Sequence, residues 1–289
     1  MSSENLLEKV KQLREITGVG FKDCKNAIDE TKGDIEKSIE LLRIKGIAKA
    51  SKRLGRVAAE GLVCISEHEN KFSMIEINTE TDFVAKNNEF INFAEEISEL
   101  ALVKHGKMED ILNSEMLNKK KAKDNLLNLA SKIGEKITLR RSAFVGKDKS
   151  INFSYTHSAS KKNVGKLGVL LSLRTAKPKK EILDLGKQLT MQIAASSPLA
   201  INKESLDQSI LKKEKKIITE ELKNSGKDNK IIEKITIGRL NKFITENTLL
   251  DQEWIMEPKK KVKDVIKEVA GKEKIEIKQF VRFKVGEGL

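Results

Sequence analysis

The chain has 289 residues, with 56 Lys and Arg against 43 Asp and Glu, giving a net charge of +13 with neutral histidines. Its length suggests about two domains, and a 38% apolar share is enough for packed cores, which argues against a disordered chain. The longest stretch without a charge, Gln188 to Asn202, spans 15 residues and contains polar Gln, Thr and Ser, so it is too short and too polar to cross a bilayer. The start, Met1 to Asn5, has neither a basic segment leading into an apolar run nor an Arg-rich transit pattern, so export or organelle import is not expected. Cys24 and Cys64 lie far apart in sequence, which fits two reduced thiols in a cytosol.

Residues 5 to 47 read as three short helices. Their apolar stripes are Leu6, Val10 and Leu13, then Cys24, Ala27 and Ile28, then Ile35, Ile39 and Leu42. Thr17 to Gly20 and Thr31 to Asp34 break them apart, and Asp34 is placed to accept from the free N–H groups of the third helix. From Lys45 to Arg56 five basic residues and no acidic one predict a basic linker. The period then changes to two. Leu62 to Ser66 and Phe72 to Ile77 predict a hairpin, and Ile137 with Leu139 and Ile151 with Phe153 and Tyr155 predict two more strands. The stretch between, Met108 to Ile133, predicts helix.

Phe90, Phe93, Ala94, Ile97 and Ala101 reappear, shifted by 92 positions, as Ile182, Leu185, Gly186, Leu189 and Ile193, each set following a strand-like run. This echo predicts two related α+β subdomains, each a small sheet backed by helices. Glu204 to Phe243 predicts a helical hairpin with a polar tip at Asn224 to Asn229, and its balanced charge suits a solvated arm. Val262, Val265, Ile266 and Val269 mark a last helix, and Ile275, Ile277, Val281, Phe283 and Val285 predict one face of a closing strand. The fold class is therefore α+β. The expected division is a three-helix domain with its linker over 1–56, a first core subdomain over 57–148 and a second over 149–289. The arm lies within the second, at about 200–246.

The chemistry the sequence lacks is informative. Gly18-Val19-Gly20 follows a helix and reads as a turn, not as a phosphate-binding loop. His68, His105 and His157 have no partner at metal-ligand spacing, and no nucleophile, base or bound cofactor is nominated. This leaves a binding protein for an acidic partner. The basic clusters at Lys45 to Arg56 and Lys259 to Lys263 suggest RNA, but they lack the interleaved aromatic platforms that single-stranded RNA prefers, so no specific nucleic acid is expected. In Thr79 to Asn87, between a strand and a helix, the plain structural roles are Asp82 as a cap and Phe83 as a core anchor.

That same stretch, with Thr81-Asp82-Phe83-Val84 at its centre, resembles the signature of the elongation factor Ts family. So do Leu13 to Gly20, Gly33 to Glu36, Arg56 to Gly61, Lys132 to Glu135, Ala194 to Pro198, Ile255 to Pro258 and Phe280 to Gly288, in the family's order and over nearly the whole chain. The resemblance implies an N-terminal domain like ubiquitin-associated domains, a two-subdomain core with an inserted arm, and guanine-nucleotide exchange on the GTPase elongation factor Tu without covalent chemistry. It implies that Asp82 and Phe83, flanked by Thr81 and Val84, wedge into the GTPase and disturb the Mg²⁺ beside GDP. By position, Arg14, Phe21, Ile255 and Met256 would also meet the GTPase domain, Ile133 and Gly134 would lie near the wedge, and His157 would approach the partner's third domain. Core packing is the alternative for Ile133 and Met256. Lys22 and Glu253 stand where relatives differ, and the chain stops at Leu289, where some members continue into a further helical module whose contacts are expected to be absent. The expected setting is bacterial cytoplasm, with no cofactor, and the arm serves either a homodimer or the GTPase.

Overall fold

The structure, a computed structural model, describes residues 3–17, 19–53, 55–146, 148–223 and 228–289. The three predicted stripes close on one another. Helices α1 (Ser3–Thr17), α2 (Phe21–Glu30) and α3 (Ile35–Arg53) bury Val10, Leu13, Cys24, Ala27, Ile28 and Leu42 in one cluster, with Leu6, Ile35 and Ile39 packed on its rim. Asp34 caps α3 as its position suggests, its Oδ1 accepting from the Lys37 N–H at 3.0 Å. Gly18, in the first predicted break, lies outside the described residues.

The predicted linker is different. Helix α3 continues through the basic stretch to Arg53, and only 55 onward is irregular, with Leu54 outside the described residues. The reason is a helix–helix contact: a Cβ on Gly46 would sit 2.6 Å from Ser131 Oγ, so the glycine lets two helices approach. The Arg53 guanidinium donates to the Ala130 carbonyl at 3.0 Å, and Arg43 pairs with Asp124 at 3.6 Å.

The hairpin forms as β1 (Glu60–His68) and β2 (Lys71–Thr79), antiparallel from Glu60 opposite Thr79 to His68 opposite Lys71. After it come α4 (Asp82–Ala85), α5 (Asn88–Val103), α6 (Met108–Asn113), α7 (Ala122–Ile133), β3 (Thr138–Val145), β4 (Ile151–His157), β5 (Val164–Gly165) and β6 (Leu167–Arg174). The single helical stretch expected over Met108 to Ile133 is thus two helices. The chain turns at 114–121, where Glu115 bridges to Lys121, and this buries Met116 beside Ile111 and Ala122. The remaining elements are α8 (Leu183–Ser196), α9 (Gln208–Lys223), α10 (Asn229–Asn247), β7 (Glu253–Trp254), β8 (Glu257–Lys261), α11 (Val262–Ala270) and β9 (Glu276–Lys284).

One sheet has the order β3-β2-β1-β5 and another β4-β6-β9. They stack face to face. Val63, Ile65, Phe72, Met74 and Val145 of the first meet Leu170 and Phe283 of the second. The outer face of the first sheet, with Leu62, Cys64, Ile75 and Ile77, is covered by Phe90, Phe93, Ala94 and Ile97 of α5 and by Leu129 and Ala130 of α7. The outer face of the second, with Phe153, Val169, Leu171 and Leu173, is covered by Leu185, Leu189 and Ile193 of α8 and by Val262 and Ile266 of α11. The echoed helices therefore occupy equivalent places on the two sheets, an α+β arrangement in which each strand pattern of two and each helix pattern of 3.6 has a buried face.

Where α5 has Ala94, α8 has Gly186. A Cβ there would lie 2.4 Å from the Phe153 ring. Gly186→Ala is expected to destabilise by about 1–3 kcal/mol through overpacking against a rigid ring, despite the better helix propensity of alanine, and the urea midpoint of unfolding measures this.

The closing strand departs from the simple alternation predicted for it. Gln279 faces Ser172 but Ile277 faces Leu173, so Lys278 is an extra residue in a bulge. Ile275 and Ile277 consequently join the α8 side of the sheet, while Phe283, with Val281 and Val285, faces the other sheet. A matching bulge on β3 inserts Arg140, since Glu76 faces Arg141 and Ile77 faces Leu139.

The arm is built on a paired root. Leu199 N–H donates to the Asn247 carbonyl at 2.9 Å and Leu249 N–H to the Ala200 carbonyl at 2.9 Å, so the chain leaves and returns through a single parallel bridge between Ala200 and Thr248. Leu206 and Ile244 bury at the root, and Ile218, Leu222 and Ile232 bury between α9 and α10 further out. Residues 224–227 of the predicted polar tip lie outside the described residues. No helix among the described residues is long and apolar enough to cross a membrane.

Candidate functional site

The strand β2 ends at Thr79 and the chain re-enters helix at Asp82. Thr81 caps that helix: its backbone is extended, with φ −124° and ψ 155°, and its hydroxyl oxygen accepts from the Val84 N–H at 3.5 Å. The cap is therefore Thr81 and not Asp82. Helix α4 is one turn long, and Asn87 immediately caps the next helix by accepting from Glu89 N–H at 2.8 Å. In this single turn Ala85 is buried and Val84 packs against the first core cluster. Phe83 points away and is 80% exposed. A core anchor is the wrong role for it. Its ring is held on an ordered turn and is open to contact by another molecule.

The turn is fixed from below. Helix α7 ends at Gly134, whose φ of 89° is the left-handed conformation that favours glycine, and the next residue turns its side chain under the site. Glu135 Oε2 accepts from Thr79 Oγ1 at 2.7 Å, Glu80 N at 3.1 Å and Thr81 N at 3.0 Å, and its Oε1 accepts from Thr81 Oγ1 at 2.7 Å. Glu80 answers in the other direction, accepting from the Lys136 N–H at 2.6 Å and from Arg56 Nη1 at 3.3 Å. The two segments are clasped by each other's carboxylates. Burial would raise the Glu135 pKa, but the hydroxyls and N–H groups of Thr81, Thr79 and Glu80 outweigh it and hold the carboxyl below its ordinary 4.5.

Asp82 is on the exposed side, and Lys86 Nζ donates to its Oδ2 at 2.7 Å across one helical turn. That bond holds the Asp82 pKa below the ordinary 3.8. The site thus presents an exposed aromatic ring next to a carboxylate that stays ionised through the neutral range.

Of the other predicted residues, Ile133 and Gly134 are brought to this site as the end of α7 that delivers Glu135, with Ile133 partly packed into the core cluster. The rest are carried by other elements. Arg14 is exposed in the last turn of α1, and Phe21 is exposed at the first residue of α2. Ile255 and Met256 form the turn between β7 and β8 and are 40% and 45% exposed, so Met256 is not a core residue. His157 ends β4, exposed, its Nδ1 2.9 Å from the Tyr155 hydroxyl. The basic loop after it returns as the two-residue β5, an edge strand against Val63 and Cys64 of β1. Sequence reasoning did not assign Glu135, Glu80 or Arg56 to the site. All three lie in the segments that resemble the family, Arg56 to Gly61, Thr79 to Asn87 and Lys132 to Glu135, but nothing in one dimension brings those segments together.

Among the described residues no group of His, Cys, Asp or Glu is arranged to hold a metal ion. Residues 80–287, beginning at this clasp, match the sequence model of the family described as Elongation factor TS. Elongation factor Ts of Methylorubrum extorquens strain PA1 is 40% identical over 283 residues, covering 97% of this chain and 92% of that protein. The chain belongs to the elongation factor Ts family. Relatives of the same name from Rhizobium meliloti strain 1021, 39% identical over 283 residues, and from Clostridium botulinum strain Eklund 17B, 40% identical over 287 residues, cover 97% and 98% of the chain and 92% and 93% of their own lengths. Membership makes it a translation elongation factor, with the mixed helix and antiparallel-sheet architecture of the family.

Proposed function

We propose that this elongation factor Ts family member releases GDP from the GTPase elongation factor Tu by inserting the Thr81–Val84 turn, Phe83 foremost, beside the GTPase's Mg²⁺ and phosphate site, so that GTP can rebind. The observation that carries this reading is the exposed Phe83 on a turn clasped by Glu135 and Glu80. A wedge must be rigid, because a flexible loop would lose ordering entropy on insertion and deliver less of its binding energy to the partner. The Mg²⁺ of such a site needs near-ideal octahedral oxygen geometry, so a small displacement of its surroundings weakens diphosphate binding. No covalent step is required of this chain.

Arg14 and Phe21 on the three-helix unit, Ile255 and Met256 on the hairpin and His157 at the β4 end serve as further contacts to elongation factor Tu, with Ile133 and Gly134 supporting the wedge. The parts correspond to a three-helix unit over 1–56 and core halves over 57–148 and 149–289. The arm contributes either a homodimer contact or a second contact on the GTPase. The setting is the bacterial cytoplasm, and the +13 charge steers association with an acidic partner. The test is release of fluorescent GDP from elongation factor Tu. The protein accelerates release, and excess unlabelled GDP displaces it from the GTPase to the same degree that it weakens GDP binding. An unchanged release rate overturns the reading.

A further inference from the structure

The second side of α8 contains a buried amide among apolar neighbours. Gln192, with no exposed surface, lies on the helix that also buries Leu189 and Ile193. A buried amide is costly unless its hydrogen bonds are made. Two of its four side-chain bonds go to the β7–β8 hairpin, one goes to Gln252 just before it, and one, from Nε2 to Ser196 Oγ at 3.2 Å, stays on α8. Gln192 Oε1 accepts from Ile255 N–H at 2.9 Å, and its Nε2 donates to the Glu253 carbonyl at 3.1 Å and to Gln252 Oε1 at 3.3 Å. Gln252 in turn donates to the Glu246 carbonyl, in the last turn of the arm helix α10, at 2.7 Å, while Ser196 Oγ lies 2.6 Å from Gln252 Oε1. The hairpin itself has only a two-residue and a five-residue strand with a bulge between them. Such a hairpin is marginal by itself and needs an anchor.

We infer that Gln192 is a positioning residue: through Ile255 N–H and the Glu253 carbonyl it fixes the Ile255–Met256 turn as a preformed contact surface for the GTPase, and through Gln252 it joins that turn to the root of the arm. This rests on the proposed exchange function only for what the turn touches. The anchoring itself is independent of it.

The test uses the full chain with the near-isosteric Gln192→Met, which keeps the volume and removes the amide. Hydrogen–deuterium exchange of the Ile255 amide is expected to accelerate by about tenfold or more, while the amides of β6 keep their wild-type protection. In GDP release from elongation factor Tu, the concentration for half-maximal effect is expected to rise about tenfold with the saturating rate unchanged, because the Thr81–Val84 turn is untouched. The effect is expected to vanish when Gln192→Met is combined with Ile255→Ala and Met256→Ala, because the residue acts through that turn. Unaltered Ile255 exchange, or an Ile255 amide already unprotected in wild type, overturns the anchor. A lowered saturating rate or a fully additive triple variant overturns the positioning role. Failure of the wild type to release GDP overturns the exchange reading and leaves the Ile255 exchange result to decide the anchor.

Discussion

Glu76→Leu is expected to cost about 1.5–3 kcal/mol of folding free energy, because it removes a buried carboxylate that two partly buried guanidinium groups share. Glu76 lies on the β2 face that meets the second sheet and has no exposed surface. Arg140 Nη1 stands 3.0 Å from its Oε1 and Arg141 Nε 2.5 Å from its Oε2, and the Asn78 side chain and the Gly286 N–H each donate to Oε1 at 3.0 Å. Two consecutive arginines can reach one carboxylate because the β3 bulge inserts Arg140. The same guanidinium groups donate to the Glu287 and Lys284 carbonyls, and Arg141 stacks 4.3 Å from the centre of the Phe283 ring. One buried charge thus ties the C-terminal strand to the first sheet. Burial would raise its pKa, yet the donors from Gly286, Asn78, Arg140 and Arg141 outweigh that and hold it below 4.5. A carboxyl lowered in the folded state adds stability above its unfolded pKa and loses it as pH falls through the folded value. Wild type should therefore lose stability progressively below pH 4.5, and Glu76→Leu should show a shallower acid limb. Denaturant unfolding across that range measures both, and a loss below 1 kcal/mol at neutral pH would contradict the assignment.

Glu135→Ala should act on stability and on the site together. It removes the acceptor of four hydrogen bonds and leaves the hydroxyl of Thr79, which is fully buried, without that partner. The expected stability loss is about 1–3 kcal/mol. The larger consequence is geometric. With the turn no longer held from below, GDP release from elongation factor Tu should fall about tenfold to a hundredfold, as happens when a functional group is misplaced by about 1 Å. Glu135→Gln should recover most of this. Its amide oxygen can replace Oε2 for Thr79, Glu80 and Thr81, and the Thr81 hydroxyl can accept from the amide nitrogen. Equal defects in both variants would mean that the negative charge and not the clasp matters.

These groups mark the limit of what the chain displays in one dimension. The stripes of α1 to α3, the alternation of β1 and β2 and the echo between α5 and α8 are legible because each is a local period with one partner face. The two bulges are not, because an extra residue such as Arg140 or Lys278 is defined only against the opposite strand. β5, β7 and β8 are too short for a period to register. The basic stretch before Arg53 reads as linker because its reason for being helical, the approach of Gly46 to Ser131, lies more than eighty positions away. At the site, the Thr81–Val84 segment stood out by resemblance alone. Its physical distinction, an exposed ring on a clasped turn, needed Glu135, which reads in sequence as one more solvated carboxylate. Gln192 was silent for the same reason, as a polar position in an otherwise apolar helix stripe.

The central claim is that the Asp82–Phe83 pair on this turn performs the exchange. Covering a largely exposed phenylalanine is worth about 1.5–3 kcal/mol, so the Asp82→Ala, Phe83→Ala double variant should accelerate GDP release from elongation factor Tu at least about tenfold less than wild type. Because both side chains are exposed or half-exposed, its unfolding midpoint should match that of wild type. The decisive measurement is the rate of labelled GDP release at equal concentrations of the two proteins. A collapsed rate with intact stability is the predicted result, and a double variant as active as wild type would contradict it.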